Sequence, residues 1–296
     1  MTGTTLFALG AAGLLGGARL FNRHLRRELA PERNTDGGSP ADWALPAQTL
    51  SLPTRNGLSL FAWHIPSLRG DAAPANVLLH GWGGNAANLL PLAAPLAGAG
   101  YRLLLVDARN HGRSDTDHFS SMTRFAEDLE AAIDWLQEGR HPPPQIALIG
   151  HSVGAAAVLL AASRRRDLSA VVSLAAFSHP ETVMRRFLAA RRMPFMPLGW
   201  YALRYVEHVI GHRFDDIAPE NTVGKLACPL LLMHGTEDET VPSSDAERLA
   251  ARAGPTARLR LLRGDHESIE AMDEAIAELL AFLGEACPPD RAAHTG

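Results

Sequence analysis

Cysteine is scarce in this sequence, because its 296 residues contain only Cys228 and Cys287. Two cysteines so far apart match neither the paired spacing of a zinc site nor the framework of a disulfide-rich domain. Sparse, unpatterned cysteine is more typical of a reducing compartment, so we expect a cytoplasmic protein. The fold must then be held by its core, and 46% hydrophobic residues are enough to build one.

An excess of basic residues is also missing, since the formal net charge at pH 7 is −4. Nucleic-acid binding needs a cationic surface for phosphate contacts, so we expect no nucleic acid as partner. No Gly-x-Gly-x-x-Gly follows the first apolar strand, and there is no P-loop. His179, His208 and His212 form no metal-ligand spacing at i, i+4 with a carboxylate as third ligand. The sequence therefore predicts neither a cofactor nor a metal.

Charge is absent from residues 2–18, directly before Arg19 and Arg23. Seventeen uncharged residues are at the lower limit for a helix that crosses a bilayer. No basic segment precedes them, which disfavours a cleaved signal peptide, and arginines after a span stay cytoplasmic. Residues 1–27 are thus either an anchor at the cytoplasmic face of a membrane or a helix or tail on the domain. The sequence leaves both open, with membrane contact expected through residues 2–27 only in the first case.

The rest of the chain divides by composition. Residues 28–46 are rich in proline, glycine and charge, as is typical of a linker. We expect a globular domain over 47–285, within the usual size of one large domain, and a flexible tail over 286–296. The oligomeric state is not predicted.

Within 47–285, short apolar runs alternate with stretches of helical periodicity. A hairpin around Asn56-Gly57 comes first. The later runs are Val77–Leu79, Leu103–Val106, Ile146–Ile149, Ala170–Leu174, Leu230–Met233 and Leu259–Leu262. Such runs suit parallel strands buried on both faces, so we expect an α/β fold with a mostly parallel sheet and helices on both faces.

One connection is unusually long. A segment of about residues 178–225 separates the sixth predicted strand from the next. It contains aromatic residues, methionines and prolines, together with four arginines between 185 and 192. We expect a helical lid over the carboxyl edge of the sheet, and the alternative is an ordinary structural excursion. The arginines either contact anionic groups or form a solvated face.

The pentapeptide Gly150-His151-Ser152-Val153-Gly154 joins an apolar strand to a helix of small residues. By itself it fits a nucleophile on a tight turn or a plain turn. A serine nucleophile needs a basic histidine and an orienting carboxylate. The loops after two later strands supply them: Glu237, Asp238 and Glu239 in one, and His266 in the other.

With these motifs the sequence resembles the α/β-hydrolase superfamily from about Gln48 to Leu283. The motifs are Leu78–Asn85 (LLHGWGGN), Val106–Asp115 (VDARNHGRSD), Gly150–Gly154 (GHSVG), Leu230–Pro242 (LLLMHGTEDETVP) and Gly264–Glu267 (GDHE). The resemblance implies an α/β-hydrolase fold with a lid inserted after the sixth strand.

Residue by residue, the resemblance implies a Ser152–Asp238–His266 triad. Asp238 is preferred to Glu237 and Glu239 because only it holds the matching offset from Gly235 and Val241. The Trp82 and Val153 amides would form the oxyanion hole. The supporting residues would be His80 and Gly81 in the oxyanion loop, Gly150 and Gly154 around the turn, and His151 beside the nucleophile.

The expected function is hydrolysis of a carboxylic ester or thioester through an acyl-enzyme. The substrate would be a small molecule with an apolar acyl part, because the insert is aromatic and apolar. Two alternatives remain at this point: acyl transfer on the same triad, and a catalytically silent, membrane-associated scaffold of the same fold.

Overall fold

A computed structural model describes residues 16–17, 19–267 and 272–289. Eight strands form one sheet in the order β1-β2-β4-β3-β5-β6-β7-β8. β2 pairs antiparallel with β1 and β4, and the other neighbours are parallel. The strands are β1 Gln48–Pro53, β2 Ser59–Ile65, β3 Ala75–Leu79, β4 Arg102–Val106, β5 Ile146–His151, β6 Ala170–Leu174, β7 Leu230–Gly235 and β8 Ala257–Leu262.

The helices of the described residues cover both faces of this sheet. They are α1 (19–28), α2 Leu90–Gly98, α3 Met122–Glu138, α4 Val153–Arg164, α5 Pro180–Ala190, α6 Trp200–Ile210, α7 Phe214–Ile217, α8 Pro219–Thr222, α9 Ser244–Ala253 and α10 Met272–Ala286. The predicted mostly parallel α/β fold is confirmed, and each predicted apolar run lies within a strand.

The two layers of core explain why the central strands are apolar throughout. On one face, side chains of α3 and α4 such as Phe125 and Leu159 are buried with Val77 of β3. On the other, Leu90 of α2 and Phe282 of α10 are buried with the neighbouring Leu78. All five residues of β3 are buried, as expected for a strand covered on both sides.

The long insert follows β6, as predicted, and contains α5 to α8. Leu188, Leu203 and Val206 join it to the core layer that contains α3 and α4. Alongside α6 runs α1: Tyr201 Oη donates to Asn22 Oδ1 (3.0 Å), and Arg26 Nε donates to Tyr205 Oη (2.7 Å). The insert is thus anchored both to the domain and to the N-terminal helix.

The predicted anchor lies mainly outside the described residues, since 1–15 and 18 are not among them. No helix of the described residues is long and apolar enough to cross a membrane. The predicted linker 28–46 includes the short helical turn Pro40–Trp43 and is tied to the domain by Asn85 Nδ2, which donates to Asn34 O and Asp36 O. Of the predicted tail 286–296, Ala286 ends α10 and Cys287 is buried, and residues 290–296 lie outside the described chain.

Candidate active site

Ser152 stands on a strained turn between two regular elements. It follows His151, the last residue of β5, and precedes Val153, the first of α4, with φ 54° and ψ −118°. A Cβ on Gly150 would lie 2.3 Å from Gly154 O, and one on Gly154 would lie 2.4 Å from His80 O. Only glycine fits these two positions, so the bracketing glycines allow the turn that presents the Ser152 hydroxyl.

Three side chains from separate loops meet at this turn. His266 Nε2 lies 2.9 Å from Ser152 Oγ, and His266 Nδ1 lies 2.7 Å from Asp238 Oδ2. Because the carboxyl ends of parallel strands share one edge of the sheet, loops after β5, β7 and β8 converge there. The structure therefore brings together the three residues that the sequence paired, in a hydrogen-bonded chain of nucleophile, base and acid.

Asp238 is the carboxylate that faces inward in its loop. Its Oδ1 accepts from the amides of Thr240 (2.9 Å) and Val241 (2.7 Å), which leaves Oδ2 to face His266. The competing Glu237 is exposed and pairs with Arg263. Backbone amides thus fix the orientation of Asp238, and the exposed neighbour does not reach the base.

His234 lies in the same motif, but the motif by itself indicates no role for it. The structure places it at the acid: His234 Nε2 is 2.7 Å from Val241 O and 3.2 Å from Asp238 Oδ2. Both oxygens are acceptors, so Nε2 carries the proton. A buried imidazole N–H therefore lies close to Oδ2, the carboxylate oxygen that the amides of Thr240 and Val241 do not bind.

His80 fixes the loop that would hold an oxyanion. Ala108 N–H donates to His80 Nε2 (3.0 Å), so Nδ1 carries the proton and donates to Gly81 O (2.7 Å). The Gly81 carbonyl and the Trp82 amide belong to one planar trans peptide and point in opposite directions. Holding the carbonyl therefore aims the Trp82 N–H. Burial lowers the pKa of His80 from 6.5 to about 4, which keeps the ring neutral.

The oxyanion loop, which contains Gly81 and Trp82, also contacts the turn that carries Ser152. A Cβ on Gly81 would lie 3.2 Å from both Ser152 Cβ and His151 Nδ1. Val153 is the first residue of α4, so its N–H is one of those a helix leaves without an internal partner. The loop and the helix end are adjacent, as an oxyanion hole requires.

His151 links the nucleophile turn to the base loop. Its Nε2 donates to the backbone carbonyl of His266 (2.8 Å), and burial lowers the pKa of the ring. Sequence analysis expected His151 only beside the nucleophile and did not assign this bond. The side chain next to Ser152 therefore helps to hold the backbone of His266.

A cavity of about 180 Å³ opens beside these residues, on the face of the sheet that carries α2 and α10. Gly81, His151 and His266 line it together with apolar residues and with polar ones that include Asn88, Asp265 and Glu267. The apolar residues are Leu89, Pro91, Leu92, Leu174, Met233, Met272, Ala275 and Leu279. Its described lining comes from outside the insert, so the lid role of 178–225 stays a prediction.

Comparison with known proteins agrees with this architecture. The family model described as serine aminopeptidase, S33, matches residues 71–211. An uncharacterised protein of Mycobacterium tuberculosis is 28% identical over 236 residues, which cover 79% of this chain and 77% of that protein. The sn-1-specific diacylglycerol lipase ABHD11 of Mus musculus is 40% identical over 103 residues, 34% of this chain and 32% of that protein.

Solved structures share the fold. The esterase Pf2001 of Pyrococcus furiosus superimposes with a TM-score of 0.72 at 20% identity, covering 87% of this chain and 97% of that one. A puromycin-hydrolysing peptidase of Mycobacterium tuberculosis gives 0.70 at 19% identity, over 85% of this chain and 41% of that one. These structures show that the chain has the α/β-hydrolase fold, and the family model and the motifs at the strand ends agree with it.

Proposed function

We propose that this protein is a serine hydrolase that cleaves a carboxylic ester or thioester through an acyl-enzyme. The observation that carries the proposal is the hydrogen-bonded chain from Asp238 Oδ2 through His266 to Ser152 Oγ, with 2.7 and 2.9 Å between heavy atoms. Both distances are within the reach of direct proton transfer. Hydrolase activity is also what the superfamily and its esterase and peptidase structures support.

In the acylation step, Ser152 Oγ attacks the acyl carbonyl while His266 Nε2 takes its proton. The tetrahedral oxyanion accepts hydrogen bonds from the Trp82 and Val153 amides. When the intermediate collapses, the bond to the alcohol or thiol breaks, and His266 gives its proton to that leaving group. Asp238 holds the imidazole in the tautomer that presents Nε2 to Ser152.

Deacylation repeats the sequence with water. His266 removes a proton from water, the hydroxide attacks the acyl-enzyme, and the carboxylic acid leaves as Ser152 regains its proton. Losing one oxyanion donor in such sites costs about 3–4 kcal/mol of transition-state stabilisation. The glycines and His80 therefore matter because they place donors before the charge develops.

The cavity lined by Gly81, His151 and His266 supports a substrate with an apolar acyl group of limited size. A dry apolar cavity of about 150 Å³ holds a molecule of benzene's size, and this cavity is close to that at about 180 Å³. We expect short and branched or aromatic acyl groups to be preferred to long chains. The lipase activity named for the mouse relative is consistent with ester chemistry.

The test is labelling with a fluorophosphonate probe, followed by turnover of p-nitrophenyl esters of graded acyl length. We expect wild-type protein to be labelled at Ser152 and to release p-nitrophenol, and Ser152→Ala to do neither while unfolding at the same temperature. A folded wild-type protein that is not labelled would support the silent scaffold. Acyl groups recovered on an added alcohol or amine, and not as free acid, would show acyl transfer.

A further inference from the structure

Four exposed large apolar side chains of the described residues lie within six positions of one another near the start of α6. Met196 (64% exposed), Leu198 and Trp200 (50%) follow one another there, and Tyr201 is exposed beside them. Leu20 of α1 is 71% exposed. We call these five residues the α1–α6 patch. Clusters of exposed apolar side chains often mark interaction surfaces, whereas single exposed apolar side chains are common on any protein.

The two helices that carry the patch run parallel, so its members share one end. Phe21 packs on Tyr201 with ring centroids 6.1 Å apart, and Arg26, five residues later, reaches Tyr205, four residues after Tyr201. The part of α1 around Phe21 therefore lies beside the first turn of α6. Leu20 directly precedes Phe21 and Trp200 directly precedes Tyr201, which places Leu20 and Trp200 at the same end of this contact.

The surroundings of the patch are strongly basic. Residues 19–28 and 180–210 contain nine arginines and three glutamates, although the whole protein has a net charge of −4. Arg191 pairs with Glu28 and Arg204 with Glu207. Arg19, Arg23 and Arg192 are exposed and form no salt bridge within the described part of the chain.

An anionic lipid surface fits this combination of groups. Tryptophan and tyrosine prefer the headgroup level of a bilayer, leucine and methionine reach the acyl boundary, and each arginine near an anionic surface contributes about 1 kcal/mol. In the sequence, residues 2–15 precede α1 and contain no charged residue. A nucleic acid would use the arginines but would leave Met196 and Leu198 exposed to water.

We propose that the α1–α6 patch docks on the surface of an anionic bilayer, with Met196, Leu198 and Trp200 in the headgroup region and Arg19, Arg23 and Arg192 against lipid phosphates. The insert then contacts the membrane in its own right, in addition to any contact of residues 2–15. The proposal does not depend on the chemistry of Ser152.

The test is co-sedimentation of the full chain with vesicles. One set contains equal parts of phosphatidylcholine and phosphatidylglycerol, and the other only phosphatidylcholine. Two combined variants are compared with wild type: Met196→Ser with Leu198→Ser and Trp200→Ser, and Arg19→Gln with Arg23→Gln and Arg192→Gln. Leu68→Ser and Arg140→Gln change exposed residues elsewhere and serve as controls, and thermal unfolding checks that every variant folds.

We expect wild type and controls to bind the mixed vesicles and the arginine variant to bind about 100-fold more weakly, which corresponds to three arginines. The apolar variant should bind at least about tenfold more weakly, because the substitutions remove apolar area that would be buried in the bilayer. Equal binding to both vesicle types, no binding at all, or unchanged binding of the apolar variant would overturn the proposal. So would an apolar variant that changes only the oligomeric state in size-exclusion chromatography, because the patch would then join two copies.

Discussion

At the scale of residues, the acid of the proposed triad depends on a histidine that has no chemical step of its own. His234 is buried; its Nε2–H donates to Val241 O, and Nε2 lies 3.2 Å from Asp238 Oδ2. His234 therefore ties together the two ends of the loop that carries Asp238, and it also lies against the carboxylate of Asp238. Partners of this kind orient the group that touches the reacting atoms and are worth about 10–100-fold in activity.

We predict that His234→Leu lowers kcat/KM for a p-nitrophenyl ester by about 10–100-fold, mainly through kcat. His234→Gln keeps an N–H close to the position of Nε2 and should recover much of the loss. Steady-state kinetics of both variants, with thermal unfolding as a control for folding, makes the comparison. If Gln and Leu lower the rate equally, the N–H beside Asp238 has no role.

A second residue-scale prediction concerns acid. His80 and His111 pack together with ring centroids 5.1 Å apart, and burial lowers the pKa of each from 6.5 to about 4. The unfolded chain takes up protons on these rings below pH 6.5 and the folded chain does so only near pH 4. Their contribution to stability is therefore complete above pH 6.5 and is lost as the pH falls towards 4.

Between pH 7 and pH 5 the free energy of unfolding should fall by about 2 kcal/mol for each of the two histidines. His111→Phe fills the same space without a titrating group, so this variant should lose less stability over that interval. Urea unfolding of both proteins at the two pH values measures it. An equal loss in wild type and variant would contradict the assignment.

At the scale of elements, α2 and α10 form the wall of the cavity opposite the sheet. α2 contributes Pro91 and Leu92, and α10 contributes Ala275 and Leu279. Leu92 is half-buried, so a larger side chain there reduces the cavity with little strain on the core. The size of the acyl group is thus expected to be set by these two helices.

We predict that Leu92→Phe shifts the preferred p-nitrophenyl ester towards shorter acyl groups, with kcat/KM for the longest accepted ester falling about 10–100-fold, as one lost methylene contact or more would cause. Ala94→Leu lies on the same helix outside the cavity lining and is the matched control. A uniform fall across the whole ester series, with no change in preference, would place the acyl group elsewhere.

The strands and the insert differ in how much of their structure the sequence predicted. The apolar runs predicted the parallel strands because a strand buried on both faces is apolar at nearly every position and does not alternate with polar residues. The insert was located correctly after β6, but its contacts could not be predicted. Tyr201 and Tyr205 pack on α1, more than 170 positions away in the chain, and amphipathicity does not specify a partner at that distance.

At the scale of the whole molecule, the sheet divides the core into two layers, and one cysteine lies in each. Cys228 is buried with the α3 and α4 layer and Cys287 with the α2 and α10 layer. Burial raises the pKa of Cys228 to about 11 and that of Cys287 to about 12. Both thiols are therefore protonated and inaccessible in the folded protein.

We predict that neither thiol reacts with Ellman's reagent at pH 8 in the folded state and that both react at the same urea concentration, because one sheet supports both layers. Cys228→Ala and Cys287→Ala each leave one reporter, so labelling across a urea series follows each layer separately. Separate midpoints for the two variants, beyond their change in stability, would show that the layers open independently.

The sequence by itself determined the fold class and the order of the site residues. Strand-end motifs place Ser152, Asp238 and His266 at one edge of a parallel sheet, and this follows from local pattern and chain order. The tertiary structure decided what sequence spacing does not encode: His151 bound to the His266 carbonyl, His234 against Asp238, and α1 beside the insert. These contacts join loops distant in sequence, and only packing in three dimensions selects them.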